Sequence, residues 1–172
     1  MVEETHLLTL IPQIVKGKLL TFNSLEKLIK HPKQGQATQY KCCWDEIKKE
    51  HGDIPLQASY WVLLTKDVIP ESRDKSYDDQ VQLVAKYSEQ AKVAYEVPRL
   101  LETAVSLFME YVQTGTRLYS DKPSTYTRCQ ESVFHSPSLV GNFAAGGLDV
   151  DDLSNPDSDD GVYNGVGGSW KL

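Results

Sequence analysis

The residues best suited to chemistry gather near the end of the chain. Asp151, Asp152, Asn155, Asp157, Asp159 and Asp160 carry the hard oxygen donors that calcium takes. Their spacing does not make a calcium loop. An EF-hand needs oxygen donors at its first, third and fifth positions, Gly at the sixth and Glu at the twelfth. Placing Gly161 at the sixth puts Pro156 at the first, and no Glu follows. A solvated acidic loop without a tight calcium site is therefore expected. His6, His31, His51 and His135 have no Ser or Cys partner in a recognised nucleophile setting. Cys42 and Cys43 with His51 lack zinc-ligand spacing and a third ligand, so Cys43 reads as packing. Gly165, Gly167 and Gly168 precede no helix and cannot cradle a phosphate. Asp78, Asp79, Glu96 and Glu102 read as solvated helix faces. The remaining reactive groups, Tyr126, Arg128, Cys129 and Glu131, lie in the polar segment from Arg117 to Glu131, which is the alternative site if the protein is an enzyme.

Composition narrows the class. With 172 residues, 40 % hydrophobic and 24 % charged, the chain suits one domain with a sizeable core. The net charge of −6, with its acidic excess late in the chain, argues against nucleic acid, which needs clustered Lys and Arg. No run approaches the ~18 apolar residues of a membrane span. The opening MVEETHLLTL is acidic where a signal peptide is basic, and it runs directly into an apolar stretch, which leaves room for an upstream part of a longer protein. Three cysteines, two of them adjacent, make no disulfide framework. A reducing cytoplasm, or delivery to a host without a Sec signal, is the expected location.

The elements that must position these residues follow from pattern. His6 to Ile11 reads as a strand and Ile14 to Leu20 as a ribbon turning at Gly17. Asn23 and Glu26 form a capping pair for a helix over 24–31. Tyr40, Cys43, Trp44 and Ile47 recur at helical spacing, which predicts a helix over 39–51. Tyr60 to Thr65 is the most hydrophobic run and predicts a central strand buried on both faces. Ser76 with Asp79 opens a helix whose stripe is Val81, Val84, Tyr87 and Ala91; a second begins at Pro98 and stops at Gly115. In the final stretch 139–172, Leu148 and Val150 alternate with Asp149 and Asp151 as in a strand with one buried face. The class implied is α+β, a single domain with strands at both ends and packing helices in the middle, the terminal strands sharing one sheet.

The order of several segments resembles a known family. Tyr60-Trp-Val-Leu-Leu-Thr, Tyr95-Glu-Val-Pro-Arg-Leu-Leu-Glu-Thr-Ala104, Val140-Gly-Asn-Phe143 and Gly165-Val-Gly-Gly-Ser-Trp-Lys171 resemble the succession of motifs in formylglycine-generating-enzyme-like domains, a branch of the C-type-lectin-like fold. The pattern is also similar to that of paralogous proteins from obligately intracellular bacteria, which share features such as Thr125-Tyr-Thr-Arg-Cys-Gln-Glu131. Asn142 departs from the family's paired glycines, and only Cys129, before the last frame, answers to the copper-binding cysteine pair of its enzymes. The resemblance thus implies a lectin-like frame without that catalysis. The same fold displays variable polar residues in retroelement-diversified binding proteins.

Together these readings predict a non-catalytic ligand- or protein-binding module with no cofactor and no metal. Its expected recognition surface is Asp149, Asp151, Asp152, Asn155, Asp157, Asp159, Tyr163 and Asn164. Short polar residues there offer hydrogen bonds with little side-chain entropy to lose. The expected partner is a protein or small ligand with a basic or hydrogen-bond-donating surface.

Overall fold

The computed structural model describes residues 2–152 and 162–172. In chain order its elements are α1 (Val2–Thr5), β1 (His6–Ile11), β2 (Ile14–Val15), β3 (Lys18–Leu19), α2 (Phe22–Lys30), β4 (Tyr40–Cys43), α3 (Asp45–His51), β5 (Tyr60–Thr65), α4 (Tyr77–Ala91), α5 (Leu100–Thr114), β6 (Tyr126–Val133), β7 (Ser136–Ala144), β8 (Gly147–Asp151), β9 (Asn164–Gly165) and β10 (Ser169–Lys171). The fold is mixed α+β. β1 and β10 flank β5 in an antiparallel three-stranded sheet, so strands from both ends of the chain do meet on one sheet. A second sheet has the order β4-β8-β7-β6-β9, with β4 parallel to β8 and β9 parallel to β6. β2 and β3 form the expected ribbon, turning through Lys16 and Gly17 at positive φ. No helix among the described residues is long and apolar enough to cross a membrane.

α5 organises the core because it packs against strands of both large sheets. Its Leu100, Ala104, Val105, Leu107, Phe108 and Val112 are all buried. Phe108 meets Tyr40 and Phe143 edge-on at ring separations of 5.1 and 5.7 Å, a geometry that aligns the positive ring edge with the negative face. The helix starts at Leu100 rather than at Pro98, whose carbonyl instead accepts from Gln130 N of β6 at 3.0 Å. It stops where expected: Gly115, at φ 78°, takes the left-handed cap that a residue with a Cβ adopts only with strain.

Three other boundaries differ from the sequence reading. α2 starts two residues early, because Thr21 and Ser24 cap each other through Ser24 N to Thr21 Oγ1 (3.1 Å) and Thr21 N to Ser24 Oγ (2.9 Å). Asn23 is spent elsewhere, donating to Lys48 O and Asp53 Oδ1. The helix predicted over 39–51 is two elements. Residues 40–43 pair with β8, Trp44 N closes the ladder on Val150 O, and α3 begins only at Asp45. Cys43 still packs against the core, while Cys42 is exposed. The segment read as irregular up to Glu131 contains most of β6, held by pairing with β7.

Two helical or strand faces also turn out differently. α4 is capped by Ser76 as expected, yet it buries Gln80 and Val84 and exposes Val81. Gln80 is drawn inward by its hydrogen bonds to Ser72 O, Asn164 O and the Arg128 guanidinium. β5 is the central strand of its sheet, but it is buried on one face only. Val62 and Leu64 point into the core, whereas Trp61 stands on the other side, exposed.

Candidate functional site

Of the expected acidic recognition surface, the structure exposes Asp151 and Tyr163. Asp149, Asp152 and Asn164 are buried, and Asn155, Asp157 and Asp159 lie outside the described residues. Asp149 ties three strands together: its Oδ2 accepts from Lys41 Nζ of β4 at 3.0 Å and from Asn142 Nδ2 of β7 at 2.8 Å. β8 is therefore enclosed on both sides rather than one, since β4 and β7 flank it and supply polar partners to its Asp face. Asp152 has no hydrogen bond to either carboxylate oxygen among the described residues.

The reactive groups of the 117–131 segment do not converge. Cys129 is fully buried with its Sγ 3.8 Å from Thr103 Oγ1 of α5. Burial, reinforced by the Glu131 charge, pushes its thiol well above the ordinary range, so no thiolate nucleophile forms near neutral pH. Arg128 reaches instead toward α4, donating to Lys75 O at 2.9 Å and Gln80 Oε1 at 3.0 Å. Burial lowers its pKa. Glu131 is occupied in accepting Leu100 N at 2.8 Å, capping α5.

A cleft of mixed lining opens at that same end of α5, with a volume of about 470 Å³. Its floor is Glu102, a residue read from sequence as solvated but only 1 % exposed. Three donors hold this carboxylate: Tyr60 Oη–H at 2.7 Å, Lys171 Nζ at 3.1 Å, and Arg99 N at 3.4 Å. Lys171 also lies over the Tyr60 ring, 4.9 Å from its centroid. Burial first, and the Glu102 charge second, raise the Tyr60 phenol, which stays protonated as a donor. Glu102 thus joins β5, β10 and α5, with its oxygens already engaged. Phe22, Ile54 and Leu56 form the apolar wall, and Arg99, His51 and Glu131 complete the lining. The carboxylate and the protonated phenol thus fasten this end of α5 to β5 and β10 across the cleft.

The second feature is the outer face of the three-stranded sheet, which the sequence reading had expected to be covered. Side chains alternate along a strand, so the chain neighbours of the buried Thr9, Ile11, Val62 and Leu64 point outward. Those outward residues include Leu8 (53 % exposed), Leu10 (43 %) and Trp61 (47 %), with the half-buried Leu63 and Trp170 between strands. Leu172, whose N–H donates to Trp61 O, adds a further exposed apolar side chain. A groove of about 650 Å³ continues this face around β1, walled by Leu28 and Ile29 of α2 and Met109 and Val112 of α5. The sequence signal was present in the unbroken apolar run of β5, which marks a strand with two apolar faces but does not say what covers each.

No family model, curated protein or solved structure matches the chain.

Proposed function

We propose that the protein is a non-catalytic protein-binding module that engages its partner through the outer face of the β1-β5-β10 sheet. One observation carries the reading: Leu8, Leu10 and Trp61 stand exposed and adjacent on a sheet whose other face is already the core. An antiparallel sheet with one solvated face is ordinarily polar on that face. Here the outward row holds no Asp, Glu, Lys or Arg, and contiguous apolar patches of this kind mark interaction sites. Trp is also the residue type richest in binding energy when a partner encloses it.

A C-type-lectin-like frame, and kinship with the paralogous proteins of intracellular bacteria, accompany this reading as proposals that rest on motif order. A location in the cytoplasm or in a host cell is a proposal on the same footing. Exposed Asp151 and Tyr163 favour a second contact at the polar C-terminal surface, suited to a basic or hydrogen-bond-donating partner.

The test is the double substitution Leu10→Ser with Trp61→Ser. The parent should elute at larger size on gel filtration in native extract than alone, and the variant should lose that shift while its circular dichroism and melting temperature stay close to those of the parent. A variant that keeps the parent's elution profile in extract would refute the reading.

A further inference from the structure

We infer that β1 accepts an additional strand: an extended peptide segment with apolar residues at alternate positions and acidic flanks, paired to the free edge of β1 and seated in the adjoining groove. This rests on the reading that the sheet is a partner-binding surface, and it names the partner's chemistry.

The edge is open by register. Lys66 N donates to Thr5 O at 2.8 Å, so Thr5 and Lys66 are a hydrogen-bonded pair. Because bonded and non-bonded pairs alternate in an antiparallel ladder, Leu7↔Leu64, Thr9↔Val62 and Ile11↔Tyr60 are bonded too. The peptide groups of Leu8 and Leu10 therefore point away from β5. No hydrogen bond to them occurs among the described residues. An unpaired edge that carries apolar side chains is a template for strand addition unless something blunts it. Nothing does so here: β1 holds no charged residue and no proline.

The groove supplies what a bare edge lacks. Bordering β1, it is lined by Leu25, Leu28, Ile29, Val105, Met109 and Val112, which would take alternate side chains of an added strand. Main-chain bonds supply affinity in this mode of recognition, and side-chain pockets supply specificity. Its volume of about 650 Å³ suits about four extended residues, which span roughly 13 Å at strand rise.

Charge selects among apolar strands. The groove is lined by Lys16, Lys33 and His31, against Glu110 alone. Lys16 and Lys33 make no ion pair among the described residues. A basic rim on a molecule of net charge −6 is matched by acidic flanks on the incoming segment.

The experiment uses the full chain and a fluorescein-labelled synthetic peptide, Asp-Asp-Val-Thr-Val-Thr-Val-Thr-Asp-Asp, read by fluorescence anisotropy. Saturable binding is expected, weakened tenfold or more when Lys replaces the four Asp residues and also weakened by raised salt. Leu8→Pro, which removes the outward N–H along with the exposed Leu8 side chain, should cost tenfold or more at an unchanged melting temperature, and clearly more than Leu8→Ala, which loses the side chain but keeps the N–H. If that variant fails to fold, peptides N-methylated on one set of alternate residues or the other decide with the parent protein: one set should abolish binding and the other should not. The inference is overturned if the acidic peptide does not bind, if both flanks bind alike, or if both methylated sets bind like the parent peptide. Loss of peptide binding with Trp61→Ser but indifference to methylation would leave a face-binding module and remove the strand. Gel-filtration capture that survives while the peptide fails would have the same meaning.

Discussion

Replacing Glu102 with Ala should reveal how firmly the cleft fastens β5, β10 and α5. The carboxylate is buried, and its removal strands three donors. Losing the reciprocal cap at Arg99 N costs about 1 kcal/mol. Leaving the half-buried Tyr60 hydroxyl unpaired adds about 1–3 kcal/mol. The pair with Lys171 adds at most about 1 kcal/mol, because that side chain is 40 % exposed and the interaction is screened. These contributions share partners and do not simply add, so a loss of about 3 kcal/mol is expected, or roughly 6–12 °C in melting temperature for a domain of this size. Urea denaturation of Glu102→Ala, Tyr60→Phe and the double variant measures it. The coupling in that cycle should be about 1 kcal/mol, since each substitution alone breaks the same hydrogen bond. A change below about 0.5 kcal/mol for Glu102→Ala would refute the argument, because that is the behaviour of a solvated surface side chain.

Phe108→Ala should destabilise the fold by ~3–5 kcal/mol, by urea titration, since it leaves a cavity between rings 5.1 and 5.7 Å away. Iodoacetamide at pH 8 should label Cys42 first; Cys43, whose burial pushes its thiol up to about 12, and enclosed Cys129 should react appreciably only on unfolding, as peptide mass mapping will show. Stability should fall as pH rises above about 9. Burial raises the folded-state values of Cys43, Cys129, Tyr40, Tyr60 and Tyr119, so the unfolded chain loses those protons first; denaturation midpoints at pH 7 and 10 check the sign.

What the sequence made legible was local, and what it hid was long-range. The caps at Ser76 and Gly115, the turn at Gly17 and the apolar runs of β1 and β5 are each set by neighbours in the chain, and they fall where pattern places them. The 39–51 segment misleads because Tyr40, Cys43, Trp44 and Ile47 match helical spacing while the deciding partner is β8, more than a hundred residues on. Backbone pairing there outweighs a weak helical preference. Glu102 looks like any exposed helix glutamate until Tyr60 and Lys171 are brought to it from β5 and β10. Arg128 and Gln80 are polar in sequence and buried in the fold for the same reason, since Arg128 Nη1 donates to Gln80 Oε1 and Lys75 O while Gln80 Nε2 donates to Ser72 O and Asn164 O, partners that the fold brings to them. The edge of β1 could not be read from its residues at all. Only the register shows that Leu8 and Leu10 keep their peptide groups outward.

The central claim is that the outer sheet face binds a partner, and photo-crosslinking tests it most directly. A photoreactive side chain placed at position 61 and, as the control, at exposed position 86 of α4 is irradiated in native extract, and adduct sites are mapped by mass spectrometry. The account predicts a discrete adduct from position 61 alone, with its yield suppressed by Leu10→Ser. Identical adducts from both positions, or none from position 61, would contradict it.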